Sequence, residues 1–200
     1  MKFLKYIFLL FICFNSISSI ADNHLEPYDM IVSSIDLMNK NLGDEENKKR
    51  LTNKKEELYS IIDQALSPYF HKKYAGRLVL NQHWKNANNN QRQRFTEGLY
   101  RSLVRSYALT LLNFDISQIN VLAHLPITNE VKKIIVKSQV LYKGELIPMN
   151  FSFRKFKEGG WRFYDVKIEG VSYIKNYRNQ FNAEITANGI DTVIVRLESM

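Results

Sequence analysis

The chain has 200 residues, with 28 Lys plus Arg against 20 Asp plus Glu, a formal charge of +8, 12% aromatic residues and one cysteine. One cysteine excludes a disulfide framework, and the four histidines (His24, His71, His83, His124) show no metal-ligand spacing. This length suits one domain with a real core, or a domain plus a small subdomain.

Met1 to Lys5 is short and basic, and Tyr6 to Phe14 is apolar throughout. Ser19-Ile20-Ala21 then offers small side chains where a signal peptidase inspects them. Residues 1–21 are expected to be a secretory signal peptide, and residues 22–200 the functional domain, exported to a bacterial periplasm. The apolar run is too short for a stable membrane span. Cys13 follows Ile12 rather than a small residue, which argues against lipid attachment. Outside the cytoplasm, nucleic acid is a poor partner for the positive charge. Anionic headgroups, membrane surfaces and acidic protein faces suit it better, and an ordinary mildly basic surface accounts for it equally well.

Pro27 to Leu42 carries Ile31, Ile35 and Met38 at helical spacing, with Pro27 suited to a first turn and Gly43 to a stop. Asp44 to Glu57 is dense in charge of both signs and reads as a solvated face or connector. Leu58, Ile61, Ile62, Ala65 and Leu66 resume the stripe until Pro68, and Phe70 to Trp84 forms a second helical block. Asn90 is placed to cap the longest amphipathic pattern, Gln91 to Leu112, where Phe95, Leu99, Leu103, Tyr107 and Leu111 recur every four residues.

After Phe114 the period falls to that of strands. These are expected over Asn120–Leu125, Val131–Tyr142, Met149–Arg154 and Trp161–Ile168, with hairpin spacing that makes the sheet antiparallel. From Val171 helical spacing returns through Ile174, Tyr177, Phe181 and Ile185 to a stop at Asn188-Gly189. Asp191 to Leu197 reads either as a strand, from its Thr, Val and Ile content, or as a short helix capped by Asp191. The order predicts an α+β domain, with helices packed on one face of a curved antiparallel sheet of about four strands.

No Gly-x-Ser-x-Gly elbow, Gly-rich phosphate loop or Ser/His/Asp order is present. Asp165 is a lone carboxylate in an apolar strand. It reads as a general base in a cone-shaped sheet, as an exposed strand residue, or as the buried partner of an arginine such as Arg178. By alternation, Trp161, Phe163, Asp165 and Lys167 share one face, and Arg162, Tyr164, Val166 and Ile168 the other. Bulk on both faces fits a plain aromatic core or the wall of an apolar pocket that opens to water.

The stretches ALSPYFHKKYAGRLVLNQHW, QRQRF, LVRSYALTLLNF, WRFYDVKIEGVSYIKNYRNQF and NGIDTVIVRL, in that order, resemble the MlaC family of periplasmic phospholipid-binding proteins, also called toluene-tolerance proteins. The resemblance runs from about Ile31 to Leu197. It implies an α+β domain enclosing a lipid cavity, a terminal helix over Asp191–Leu197, and a carrier without catalytic residues, metal or cofactor. It further implies transfer of glycerophospholipid between an outer-membrane lipoprotein complex and an inner-membrane ABC transporter with an MCE-domain subunit, by a monomer. On this reading the cavity walls and mouth comprise Leu103, Tyr107, Leu111, Val136, Val140, Met149, Phe151, Phe153, Tyr164, Val166, Tyr173, Tyr177, Arg178 and Phe181. Arg178 and the tyrosine hydroxyls would meet ester or phosphate groups.

Two other readings stand beside it. A cone-fold enzyme would use Asp165 as base on a hydrophobic small molecule, and a basic periplasmic adaptor or chaperone would bind protein segments. Arg92, Arg94, Arg101 and Arg105 are candidates for partner docking, or simply a solvated helix face.

Overall fold

The computed structural model describes residues 25–112, 114–123 and 126–200. The expected signal peptide, His24, His124 and the Leu125 end of the first expected strand lie outside the described residues.

Helix α1 (Pro27–Leu42) begins on Pro27 and buries Met30, Ile31, Ser34, Met38 and Leu42 along one stripe. The charged segment folds as α2 (Glu45–Asn53), capped by Asp44, whose carboxylate accepts from the Asn47 amide. Helix α3 (Lys55–Leu66) buries Leu58, Ile62 and Ala65. Helix α4 (Lys72–Leu80) runs into a 3-10 turn at Asn81–Trp84.

The long helix α5 (Asn89–Leu112) starts earlier than expected, and its cap is not Asn90. Asn88 Oδ1 accepts from the Gln91 amide at 2.9 Å, and Gln91 Oε1 accepts from the Asn88 amide at 3.0 Å. This reciprocal pair satisfies two end donors where a lone Asn90 would satisfy one.

Five strands follow in sheet order, each antiparallel to its neighbour: β1 (Ile119–Val121), β2 (Lys133–Tyr142), β3 (Glu145–Phe156), β4 (Gly160–Ile168) and β5 (Val171–Ser172). The last was expected as helix. Gly170, at φ 81°, turns the chain so that Val171 and Ser172 pair with Ile168 and Lys167 before the helix begins. Ser172 then caps α6 (Tyr173–Asn188), its hydroxyl accepting from the Lys175 amide at 3.1 Å. The remaining edge of β4 is closed by the chain before α4. Phe163 donates to the Tyr69 carbonyl at 2.9 Å, and His71 donates to the Phe163 carbonyl at 2.8 Å.

The terminal segment is helix α7 (Ile190–Ser199), with Val193, Ile194 and Leu197 buried. Packing overrides the β preference of Thr192 to Val195. Gly98 on α5 makes the approach possible, since a Cβ there would lie 2.9 Å from that of Leu197.

One irregularity reorganises the sheet. Ser152 pairs with Asp165 but Phe153 pairs with Phe163, so Tyr164 is an extra residue in β4. Phe163 and Val166 therefore share the face of Phe153 and Phe151, while Tyr164 and Asp165 share the opposite one. Strict alternation, which grouped Tyr164 with Val166 and Asp165 with Phe163, breaks at this bulge.

Among the described residues, most buried apolar side chains fall into three clusters rather than one. The first joins α4 to α7 through Val79, Phe95, Leu99, Phe181, Val193 and Leu197. The second joins α1, α2, α3 and the end of α5 through Met38, Leu51, Leu58, Ile62 and Ala108. The third sets Met30 and Ile31 of α1 on Val136, Phe151, Phe153, Trp161 and Phe163 of the sheet. Phe70 touches the first and third, and Ile35 and Leu66 touch the second and third.

Candidate functional site

The sheet's inner face has two ends of different character. At one, Val136, Phe151, Phe153, Trp161 and Phe163 are buried under α1. At the other, Val140 pairs with Ile119 and Ile147, and Met149 pairs with Ile168. There Ile119, Ile147, Met149, Val166 and Ile168 stay half-buried. Phe151 adjoins both ends, since it pairs with Val136 on one side and Val166 on the other.

Of the fourteen residues expected to line a cavity, Val136, Val140, Phe151, Phe153 and Phe181 are buried and the other nine are half-buried. They belong to different clusters. Leu103, Tyr177 and Phe181 fall with the first, Leu111 with the second, and Val136, Met149, Phe151, Phe153 and Val166 with the third. A domain usually forms one contiguous core. Here Tyr107, Val140, Tyr164, Tyr173 and Arg178 fall with none of the clusters, and the seam along which the clusters meet is held by Phe70, Ile35 and Leu66.

Between α5 and α6 the structure brings three tyrosines together. The rings of Tyr107 and Tyr173 meet edge to face at 4.8 Å, and Tyr177 stacks on Phe181 at 5.7 Å. Tyr107 is the electrostatic neighbour of both Tyr173 and Tyr177. Burial, then the neighbouring Tyr107, push Tyr173 up to about 12. Burial raises Tyr177 as well. The three half-buried rings thus bring phenol hydroxyls together between α5 and α6.

Three expected roles change. Tyr164 sits on the outer face because of the bulge, its ring edge-on to Tyr74 of α4 at 5.0 Å, so it does not share a wall with Val166. Arg178 Nε donates to the Leu78 carbonyl at 2.7 Å, tying α6 to the C-terminal end of α4. Asp165 is buried, and its partner is not Arg178. Its carboxylate accepts from the Ser172 hydroxyl at 2.7 Å and from the Ile174 amide at 3.1 Å, so both oxygens are used in starting α6. That arrangement leaves the carboxylate holding a helix rather than poised as a base.

Two clefts escaped the sequence reading. One, of about 380 Å³, is lined by Tyr59, Asp63, Tyr100 and Val104 among others, and the second, of about 1070 Å³, by Phe70, Tyr74, Trp84 and Phe156 among others. The pair Lys72–Glu97, at 3.3 Å, borders both, with Lys72 Nζ 4.2 Å from the Tyr100 ring centre. Burial and then the Asp63 carboxylate raise the pKa of Tyr100. None of the fourteen expected residues lines either cleft. The available signal was the run His71-Lys72-Lys73-Tyr74, one turn from Arg77, which interleaves cations with rings.

The fold, the seam and the tyrosine cluster define an α+β protein with an apolar interior divided among several cores. The sequence model of the MlaC protein family matches residues 27–199, and the chain belongs to that family. The intermembrane phospholipid transport system binding protein MlaC of Haemophilus influenzae is 26% identical over 144 residues, covering 70% of this chain and 67% of that protein. A phospholipid-binding protein from Ralstonia solanacearum, solved in complex with a phospholipid, shares the fold with a TM-score of 0.72 at 22% identity, over 88% of this chain and 96% of that one.

Proposed function

We propose that the protein is a periplasmic carrier of glycerophospholipid. Its acyl chains would lie in the seam between the half-buried end of the inner sheet face and helices α5 and α6. Membership of the MlaC family carries the proposal, and the phospholipid bound by a relative of the same fold supports it. The leader over residues 1–21 would export the chain, and residues 22–200 would form the carrier. Its partners would be an outer-membrane lipoprotein complex and an inner-membrane ABC transporter with an MCE-domain subunit.

Energetics give the seam its meaning. Burying a CH₂ is worth roughly 0.8 kcal/mol, so two sixteen-carbon chains amount to about 25 kcal/mol against water. A carrier has to match the bilayer without exceeding it, or release fails. Aliphatic and aromatic walls on separate cores meet that need, because the cores can part while each stays packed. Tyr107, Tyr173 and Tyr177 add hydroxyls that can donate to an ester carbonyl without a fixed charge.

Native mass spectrometry of the purified protein, followed by organic extraction, tests the reading. Stoichiometric phospholipid is expected, with the acyl-chain count giving the size of the cavity. A protein that arrives empty and takes up no lipid from vesicles would overturn it.

A further inference from the structure

We propose that the cleft between α4, the start of α5 and the β3–β4 turn is a binding site for a phosphate-ester anion, separate from the space assigned to acyl chains.

The cleft encloses about 1070 Å³, ample for a phosphoglycerol group. Lys73, Arg77, Arg92 and Arg162 line it and form no ion pair among the described residues. Glu97 is already paired with Lys72, which leaves Glu158 as the lining acid without a cation. The uncompensated charge is therefore positive.

Donor geometry adds to the charge. His71 Nδ1 accepts from the Tyr74 amide at 3.1 Å, so the proton of the neutral ring sits on Nε2 as a donor. Burial first, then the nearby Arg162 and Lys73 charges, hold the His71 pKa below its ordinary value, in keeping with a neutral ring. Thr96 also borders the cleft, but its hydroxyl is buried in the α4–α5 crossing, where a Cβ on Gly76 would lie 2.6 Å away, and has no hydrogen-bond partner. Buried hydroxyls ordinarily find one. Forked guanidinium groups beside the His71 donor suit the several acceptor oxygens of a phosphate, which a single carboxylate matches less well.

The walls are ring-lined, with Arg92 held 5.2 Å from the Trp84 ring centre and bonded to the Trp84 carbonyl at 2.9 Å. They provide flat apolar surface beside the anion site, as a glycerol or sugar carbon skeleton requires. The phosphate ester could belong to a lipid headgroup or to a soluble molecule.

Titration calorimetry of the purified protein with glycerol phosphate, and co-flotation with phosphatidylglycerol vesicles, separate the two sources. The joint substitution Arg77→Gln with Arg162→Gln should weaken the responding probe by roughly tenfold or more. Arg101→Gln, an exposed cation on α5, should leave it unchanged. Should the paired variant fail to fold, Lys73→Gln is expected to weaken the same probe severalfold. A response to glycerol phosphate supports the site and a soluble ligand, and a response to vesicles alone supports the site and a headgroup. Failure to bind either probe, or equal losses in the cleft and Arg101 variants, overturns the proposal. Lipid extraction from the same samples keeps the carrier reading separate. Phosphate binding by a protein that arrives empty and takes up no lipid from vesicles sinks that reading alone, and a lipid-loaded protein that ignores both probes sinks this one alone.

Discussion

The carboxylate of Asp165 and the hydroxyl of Ser172 meet at 2.7 Å, across the turn that joins β4 to β5. The same carboxylate takes the Ile174 amide, so a strand residue supplies the negative charge at the start of α6. Hydrogen bonds to a charged group contribute about 1.5–3 kcal/mol each. Asp165→Ala should therefore cost about 2–4 kcal/mol in urea unfolding, and Asp165→Asn about half as much. Wild-type stability in Asp165→Ala would show that α6 needs no such cap.

Gly76 and Thr96 set the crossing of α4 and α5. A Cβ at Gly76 would lie 2.6 Å from Thr96 Oγ1 and 3.4 Å from the Thr96 Cα, so the helices could not keep their distance. Gly76→Ala should destabilise by about 1–3 kcal/mol, the usual cost of overpacking. Adding Thr96→Ala, which removes the clashing hydroxyl, should recover part of that loss in the same unfolding assay.

Alkaline titration tests the tyrosine seam. Tyr173 sits at about 12 in the fold against 10.0 for an ordinary tyrosine. Between those values the unfolded chain gives up a proton that the folded one keeps. Its contribution to stability is thus complete below pH 10.0 and is lost as pH rises towards about 12. Stability should fall over that window, and Tyr173→Phe should make the fall shallower. A wild-type tyrosinate absorbance curve centred at the ordinary value for every tyrosine would contradict the burial described here.

Met149 stands on the half-buried end of the inner face, paired with Ile168. An unpaired charge in apolar surroundings costs several kcal/mol, so Met149→Arg should cut co-purifying phospholipid by about tenfold or more. Far-ultraviolet dichroism should stay unchanged. Full lipid content in that variant would place the acyl chains elsewhere.

Most elements were legible in the sequence because their period was strong. The Phe95-to-Leu111 spacing needed a helix, and the alternation of Met149 to Arg154 needed a half-buried strand. Val171-Ser172 was misread as helix because two residues carry no period, and only the positive φ of Gly170 places them on the sheet. The bulge at Tyr164 was hidden for a related reason. An extra residue in a strand shows itself only against its partner, here in the step from Ser152 to Phe153. With it went the facing of Tyr164 and Asp165. The α4–α5 cleft was missed because its cations come from three separate stretches, Lys73–Arg77, Arg92 and Arg162, which only the tertiary fold assembles.

The three clusters that meet through Phe70, Ile35 and Leu66 also decide how the molecule answers compression. A close-packed core has low compressibility and pressure acts on void volume, so the joints between the clusters are expected to yield first. The chain is built less like a pebble than like a clasped purse: stiff panels and a soft line of closure. On that expectation its weakest direction runs along the joints at Phe70, Ile35 and Leu66 rather than through any one panel.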